Sequence, residues 1–377
     1  MKILKKPYLI IPKLIEQPTW GGKYILGIKN WSHNPVFKNK KIGQSYELFS
    51  KSKLQLKISD ASDKKFLPEL GGPDTNEVFN TLPYKKNIDY VALKDVTDLF
   101  NKIPLIKINQ SNGNSFQLHI RTGLSVKRWL PKAESWYYLK DGLITFGLKK
   151  NININEYKKI CTDIEEKMMT LSKEIMNKNI SIEKGNKIAQ EYIKSKNPWK
   201  FVNMHHVKKD TVVDASYGGV HHSWEEDIDK YPDGNVNFEI QQDVMDPVST
   251  IRSFDKGKFK KDGSIREIHI NDYFRYLDKN PDYNDIKKMT PTNEGKRYLT
   301  TKHYCLDVLK VGEEIDEETN KSFAHLFVRK GSVEVATDEG GVKMTKGHSC
   351  FISEKVFKYK IKPIEKESVV LKTFVET

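Results

Sequence analysis

The sequence predicts a mainly β protein with a small α-helical insert. Residues 7–150 contain short strand-like runs separated by turns rich in Gly, Asn, Asp and Pro. From about Asn155 the apolar residues recur at helical spacing, and strand-like runs resume at about Phe201. A last series of short strands with Gly turns covers 298–375. These observations indicate two β units and one helical insert.

The predicted domain boundaries follow these changes of pattern. Residues 1–150 and 201–290 are expected to form one β domain, which the helical insert 151–200 interrupts. Residues 291–377 are expected to form a second, smaller β domain. The polar, turn-rich stretch 278–295 has the composition of a linker between the two.

Two helices are predicted in the insert. The first has a single apolar face, which indicates a helix packed on a core; its members are Ile160, Ile164, Met168, Leu171 and Ile175. The second runs from Ile182 to Ser195, with Ser181 as a possible N-cap, and ends before Pro198.

Composition argues against several classes of protein. The net charge of +14 over 377 residues is spread along the chain in Lys pairs, without the basic helix or arm expected of a nucleic-acid-binding protein. No apolar stretch approaches the roughly 20 residues of a membrane helix, and the apolar N-terminal run is cut short by Pro12. The scattered cysteines Cys161, Cys305 and Cys350 suggest reduced thiols. We therefore expect a cytoplasmic protein with neither nucleic-acid nor membrane partners.

A candidate metal site lies in the segments FQLHI and PKAESWYYL. Side chains two apart on a strand point to the same face, so Gln117 and His119 can enter one pocket. Glu134 opens an aromatic strand that can lie beside them, and GGVHHSW adds the adjacent His221 and His222. Imidazole, carboxylate and amide ligands suit zinc, although a Gln-x-His pair alone is more often a surface feature.

Eight short blocks, in this order, resemble the type I mannose-6-phosphate isomerase family of cupin proteins, from about Pro7 to Phe374. The first block is the opening segment KPYLIIPKLIEQPTWGG, which ends in Trp20-Gly21-Gly22. The others are IGQSYELFS, PLIKINQ, FQLHI, PKAESWYYL, GGVHHS, NFEIQQ followed by TIRSFD, and IREIHI. The resemblance implies two cupin (jelly-roll) barrels. The second barrel contains HLFVRKGSVEV and KGHSCFIS, and we expect it to be metal-free although it carries His325 and His348.

The resemblance also implies an activity. It would be the interconversion of mannose 6-phosphate and fructose 6-phosphate through a cis-enediol, with one Zn²⁺ per chain and a small sugar phosphate as partner. We expect a monomer or a homodimer. Two alternatives stay open: an isomerase of the same fold acting on another aldose or aldose phosphate, and a non-catalytic sugar-binding cupin.

The implied zinc ligands are Gln117, His119, Glu134 and His221. Of the two adjacent histidines only one can face the site, and the family spacing favours His221 over His222.

The implied catalytic residues are Arg252, Glu239 and Lys132. Arg252 would hold the developing enediolate charge, although without the resemblance an ion pair with Asp255 is the more ordinary expectation. Glu239 is the preferred proton-transfer group. Lys132, two residues before Glu134, would bind phosphate or a hydroxyl group.

The chain departs from the family pattern near these residues. The segment between Glu239 and Arg252 is three residues longer than the matching segment of the family. This longer connection carries DPVS with Pro247. Ile251 replaces the family's Tyr, and an acidic segment, SWEEDIDKYPDG, follows the two histidines. Negative charge at the rim would oppose the binding of a phosphate group.

Overall fold

The computed structural model describes residues 3–18, 20–71, 89–291 and 295–376. The strands before the helical insert are β1 (Tyr8–Ile11), β2 (Lys13–Glu16), β3 (Ile42–Leu48), β4 (Lys53–Gln55), β5 (Glu69–Gly71), β6 (Tyr90–Ala92), β7 (Leu105–Ser111), β8 (Phe116–Leu118), β9 (Glu134–Tyr138) and β10 (Gly142–Leu148). After the insert come β11 (Val202–Val207), β12 (Val212–Asp214), β13 (His222–Trp224), β14 (Asn235–Gln241) and β15 (Ile251–Phe254). The C-terminal strands are β16 (Arg297–Thr300), β17 (Cys305–Val311), β18 (Ile315–Glu318), β19 (Ala324–Lys330), β20 (Ser332–Thr337), β21 (Gly340–Thr345), β22 (Ser349–Ile352), β23 (Lys358–Pro363) and β24 (Ser368–Phe374). The helices are α1 (Tyr24–Ile28), α2 (Ile154–Met176), α3 (Ile182–Lys196) and α4 (Ile270–Tyr276).

The strands form two barrels, each built from two facing sheets. Sheet 1 has the order β11-β10-β13-β8-β15, and sheet 2, which faces it, has the order β12-β9-β14-β7-β3-β2-β5. Sheet 3 (β16-β17-β24-β19-β22-β1-β4-β6) and sheet 4 (β18-β23-β20-β21) form the second barrel. The predicted fold class, mainly β with two cupin-type barrels and few helices, is confirmed.

Sheet 2 is buried on both faces, and the two faces differ in polarity. Along β14, Val236, Phe238 and Ile240 point outward and share a hydrophobic core with sheet 3. The ring of Phe238 lies 5.1 Å from that of Phe327, which fixes one barrel against the other. The alternate residues of β14 are polar and point toward sheet 1. Buried polar residues at every second position of a strand are uncommon. They mark the interior of the first barrel as the candidate site.

The helical insert covers the outer face of sheet 1. The predicted apolar face of the first helix is confirmed, because all five residues named for it are buried in α2. They belong to one core with Phe116 and Phe254 of sheet 1. The predicted second helix is confirmed as α3, with the Ser181 hydroxyl accepting a hydrogen bond from the Lys184 amide. None of the helices in the described part of the chain is long and apolar enough to cross a bilayer.

The N-terminal strands differ from the predicted division of the chain. Residues 1–150 were assigned to the first barrel, but β1 pairs with β22 of the second, with Tyr8 opposite Phe351. Strands β4 and β6 extend the same sheet. The reason lies in the apolar run YLII, in which every side chain is buried. Such a strand needs cover on both faces, and sheet 3 provides it between the two barrels.

Candidate metal and catalytic site

His119 directly follows β8 and points into the first barrel. Its imidazole is buried, and Nδ1 lies 2.7 Å from the carbonyl oxygen of Ser249. A carbonyl can only accept, so Nδ1 carries the proton and Nε2 has a free lone pair. This Nε2 lies 3.1 Å from the carboxylate of Glu134. Carbonyl-anchored imidazoles of this kind are typical of metal-binding histidines.

Glu134, the first residue of β9, faces His119 from sheet 2. Burial alone would raise the pKa of this carboxyl, but the positive charge of Lys132, with a smaller contribution from His119, holds its pKa well below the usual value. The Lys132 ammonium lies 2.9 Å from the carboxylate. Glu134 is therefore ionised over the whole neutral range and can bind a cation.

His222 completes a three-residue cluster. One ligand atom each from His119, Glu134 and His222 lies within 4.8 Å of the others, and all three residues are buried. Burial lowers the pKa of His222 to about 3, so its ring is neutral. Its Nε2 is buried and has no hydrogen-bond partner within the described residues. Two neutral imidazoles with free lone pairs and one carboxylate fit the donor set of Zn²⁺.

The structure corrects the assignment of His221. Its ring points through sheet 1 toward the helical insert, 4.3 Å from the ring of Phe116, and its Nδ1 lies 3.3 Å from the Tyr157 hydroxyl. Adjacent strand residues face opposite sides, and the pairing of His222 with Gln117 turns His222 toward the pocket. His221 therefore packs in the core behind the sheet. His222 takes the pocket-facing position that was predicted for His221.

A glycine pair brings the histidines to this place. Gly218 and Gly219 both adopt positive φ, 68° and 75°. The Gly219 amide donates to the His119 carbonyl, and a Cβ on Gly218 would lie only 2.6 Å from the Ile120 carbonyl oxygen. Only glycine fits this close backbone approach. The turn thus aligns the start of β13 with the end of β8.

Gln117 lies on the same face of sheet 1 as His222. Its Cα pairs with His222 on one side and with Arg252 on the other. The side-chain oxygen accepts a hydrogen bond of 3.2 Å from the Ser115 hydroxyl. Gln117 is thus the neighbour of His222 across the sheet, and its role as a fourth ligand stays a prediction.

Glu239 lies in the middle of β14, opposite sheet 1. Burial, and secondarily the negative charge of Glu134, raises the pKa of Glu239 to about 7. Lys107 of β7 forms an ion pair of 3.1 Å with it, and Asn109 donates to its other oxygen at 2.5 Å. A carboxyl with a pKa near neutrality can both accept and return a proton.

Lys132 is buried and paired twice. Its ammonium lies 2.9 Å from Glu134 and 3.2 Å from Asp246, and it donates to Gln241 at 3.3 Å. Burial would lower the pKa of Lys132, but the two carboxylates outweigh it and raise that pKa. Lys132 therefore stays protonated and is suited to holding negative charge or a hydroxyl group, not to removing a proton.

Arg252 is the least compensated charge at the site. It is half-buried, its Nε has no hydrogen-bond partner, and it forms no ion pair with any residue in the described ranges. The ion pair with Asp255 considered above does not form, since Asp255 pairs with Arg266 at 3.5 Å. The Arg252 guanidinium is thus available for a ligand.

Two charged residues of the pocket were missed by the sequence analysis. Lys107 occupies an inward position in PLIKINQ between outward-pointing isoleucines, so strand alternation could have found it. Asp246 lies in the longer connection between β14 and β15, whose conformation no local pattern predicts. Both lie on the polar interior of the barrel beside the predicted catalytic residues.

Comparison with known proteins gives a consistent result for the fold. No protein-family model and no curated protein sequence matches the chain. Solved structures do. Mannose 6-phosphate isomerase from Bacillus subtilis matches with a TM-score of 0.61 and 14% identity, over 98% of this chain and 99% of that one. A putative mannosephosphate isomerase from Archaeoglobus fulgidus matches with a TM-score of 0.60 and 12% identity over the whole of both chains. A zinc-bound mannose 6-phosphate isomerase matches with a TM-score of 0.62 and 11% identity, over 99% of this chain and 100% of that one.

These likenesses define the class of fold as a two-barrel fold of the cupin type. More particularly, the chain has the fold of the mannose-6-phosphate isomerases over nearly its full length.

Proposed function

We propose that this protein is a zinc-dependent aldose–ketose isomerase that interconverts mannose 6-phosphate and fructose 6-phosphate. One observation carries the proposal: the buried cluster of His119, Glu134 and His222 lies inside the barrel beside a carboxyl of raised pKa and an arginine that forms no ion pair with the described residues. The fold shared with a zinc-bound mannose 6-phosphate isomerase supports the choice of metal and reaction.

The chain's own residues account for the steps of such a reaction. Bound Zn²⁺ would act as a Lewis acid and orient the two sugar oxygens, with His119, Glu134 and His222 holding it and Gln117 as the proposed fourth ligand. Glu239, with its pKa of about 7, moves the proton between C1 and C2. Arg252 holds the charge that develops on the enediolate, and the barrel walls exclude water.

Lys132 and Lys107 set the charge of the carboxylates in this scheme. Lys132 keeps Glu134 ionised, and Lys107 limits the rise of the Glu239 pKa. Both lysines are themselves buried, so each also depends on its carboxylate partner.

The test is isomerisation of mannose 6-phosphate by zinc-loaded protein, with Arg252→Ala and Arg252→Lys alongside. We expect turnover by the wild type and a loss of about 10²–10³-fold in kcat for Arg252→Ala, because one group that stabilises the transition-state charge is removed. Zinc content should not change, since Arg252 is not among the ligands.

Arg266→Ala is the matched control. Arg266 is an exposed arginine near the same site, but its guanidinium already pairs with Asp255. Its replacement should change kcat by no more than a few-fold. Absence of turnover by wild-type protein with zinc bound would contradict the proposed substrate.

A second candidate, an isomerase of the same mechanism acting on another aldose, is favoured by one contact. The Asp246 carboxylate forms an ion pair of 3.2 Å with the ammonium of Lys132. This ion pair reduces the positive charge available to a phosphate. Assaying unphosphorylated aldoses with the same protein distinguishes the two.

A further inference from the structure

The main chain of Arg252 is held by a single residue, His269. Strand β15 is the last strand of sheet 1 and pairs with β8 on one side. On its other side, the Arg252 carbonyl accepts a hydrogen bond of 2.8 Å from the His269 amide. The Arg252 amide donates a long hydrogen bond of 3.4 Å to Nδ1 of the His269 ring. Both main-chain hydrogen-bonding groups of Arg252 therefore have His269 as a partner.

The His269 ring is in the state that this contact requires. Its side chain is only 7% exposed, and burial lowers its pKa, so the imidazole is neutral near pH 7. Because Nδ1 accepts from the Arg252 amide, Nε2 carries the ring proton. Nε2 lies 3.4 Å from the carboxylate of Glu267, an acceptor that favours this tautomer. The ring can therefore act as a hydrogen-bond acceptor toward Arg252.

The same ring contacts the loop that connects two of the proposed metal ligands. Trp129 lies in this loop, residues 120–133, and its indole is edge-on to the His269 ring with the ring centres 4.7 Å apart. The indole is buried, and its Nε1 donates to the Asp272 carboxylate of α4 at 2.8 Å. His269 thus lies between the metal-ligand loop and the strand that carries Arg252.

The position of the Arg252 main chain matters for the position of its guanidinium. The guanidinium forms no ion pair with any residue in the described ranges, so it has no carboxylate to fix its place. Its Cα pairs with Gln117 across the sheet, on the face that holds the metal cluster. A group that stabilises transition-state charge must be held to within about 0.5 Å of its working position. A displacement of about 1 Å can cost about 100-fold in rate.

We propose that His269 is a positioning residue for the isomerase reaction. Through Nδ1 it holds the main chain of Arg252 against the metal-ligand loop, and so keeps the guanidinium at a fixed distance from the metal cluster. This inference rests on the proposed aldose–ketose isomerase function. It gives His269 no contact with the substrate, so the loss of this residue should lower kcat and leave KM nearly unchanged.

The experiment is a double-mutant cycle on zinc-loaded protein with mannose 6-phosphate. His269→Phe keeps a ring against Trp129 but removes the acceptor, whereas His269→Asn supplies an amide oxygen in its place. We expect kcat to fall about tenfold in His269→Phe, with KM within about twofold of the wild type, and to recover most of this loss in His269→Asn. In the Arg252→Ala background, His269→Phe should change kcat less than about twofold, because the residue through which it acts is gone. An equal fall in both backgrounds would overturn the proposal.

His206→Phe is the matched control. His206 is exposed on β11, the opposite edge strand of sheet 1, and its Nδ1 lies 2.7 Å from the Tyr231 hydroxyl. The same substitution far from Arg252 should change kcat less than about twofold. A fall as large as that of His269→Phe would show that the effect does not pass through Arg252 and would overturn the proposal.

Hydrogen exchange of the Arg252 amide separates this inference from the proposed function, because it needs no turnover. Exchange should be at least about tenfold faster in His269→Phe than in the wild type, and close to the wild type in His269→Asn. This pattern without turnover by the wild type would refute the isomerase activity and support the hold of His269 on Arg252. Unchanged exchange in His269→Phe would overturn the inference whatever the activity. His269→Ala replaces His269→Phe in all of these measurements if the latter does not fold.

Discussion

The assignment of His222 in place of His221 makes a sharp prediction about metal binding. Both histidines are buried and adjacent, but only His222 shares a cluster with His119 and Glu134. We expect His222→Ala to lose zinc and His221→Ala to keep it. Each variant is the control for the other, because both remove the same side chain from neighbouring positions.

The magnitude follows from the linkage between binding and folding. At free zinc a hundredfold above the dissociation constant, binding stabilises the folded wild type by about 2.7 kcal/mol. Loss of even an outer partner of a metal ligand weakens binding by about 10–100-fold, so loss of a ligand should weaken it at least as much. A hundredfold weaker site leaves only about 0.4 kcal/mol of stabilisation at the same zinc concentration.

His221→Ala should behave in the opposite way. Its imidazole packs 4.3 Å from the Phe116 ring in the core behind sheet 1, so its removal leaves a cavity. We expect a loss of about 2–4 kcal/mol in unfolding free energy with and without metal, and a zinc-dependent increment equal to that of the wild type.

The assay is denaturant unfolding with and without zinc, together with metal analysis of the purified proteins. A zinc-dependent increment that disappears in His221→Ala and persists in His222→Ala would refute the geometry given above. An increment that persists in both would show that neither histidine binds the metal.

Two further predictions concern the backbone turn and the base. Gly218→Ala should destabilise the protein by about 1–3 kcal/mol in denaturant unfolding, because its Cβ meets the Ile120 carbonyl at 2.6 Å. Gly123→Ala, also at positive φ but with no atom of the described residues within 4 Å of the new Cβ, should cost clearly less, and equal costs would disprove the close approach as the cause. The rate of the isomerase should fall as pH drops through the pKa of Glu239, which is about 7 before the charge of bound zinc lowers it, because a base must be ionised to accept a proton. Lys107→Met should move this acid limb of the kcat–pH profile to higher pH, and an unmoved limb would exclude Glu239 as the group that titrates.

The elements that local pattern specifies were predicted well. The apolar positions of α2 repeat at helical spacing, and this face is the one buried on sheet 1. The N-cap of α3 was predicted from Ser181, whose hydroxyl accepts a hydrogen bond from the amide of Lys184, three residues further on. The same local logic placed Gln117 on a strand, in β8, and Glu134 at a strand start, although His119 lies one residue beyond the end of β8.

Features that depend on distant strands could not be predicted in this way. The pairing of Tyr8 with Phe351 joins the two ends of the chain, and nothing in YLII specifies its partner. The contact between Asp246 and Lys132 depends on the path of an irregular connection. In both cases the partner is chosen by tertiary packing, which a periodicity along the chain does not contain.

The exchange of His221 and His222 has the same physical origin. A slip of one residue in strand register moves every side chain to the opposite face, so two adjacent histidines are equivalent until the register is known. Here β13 is held from both sides, because His222 pairs with Gln117 of β8 and with Phe146 of β10. Residues paired across neighbouring strands share a face, so a pocket that contains Gln117 must receive His222 and must exclude His221. The family spacing favoured the other histidine because spacing counts residues along the chain, whereas the metal site is selected by which residues lie opposite one another across the sheet.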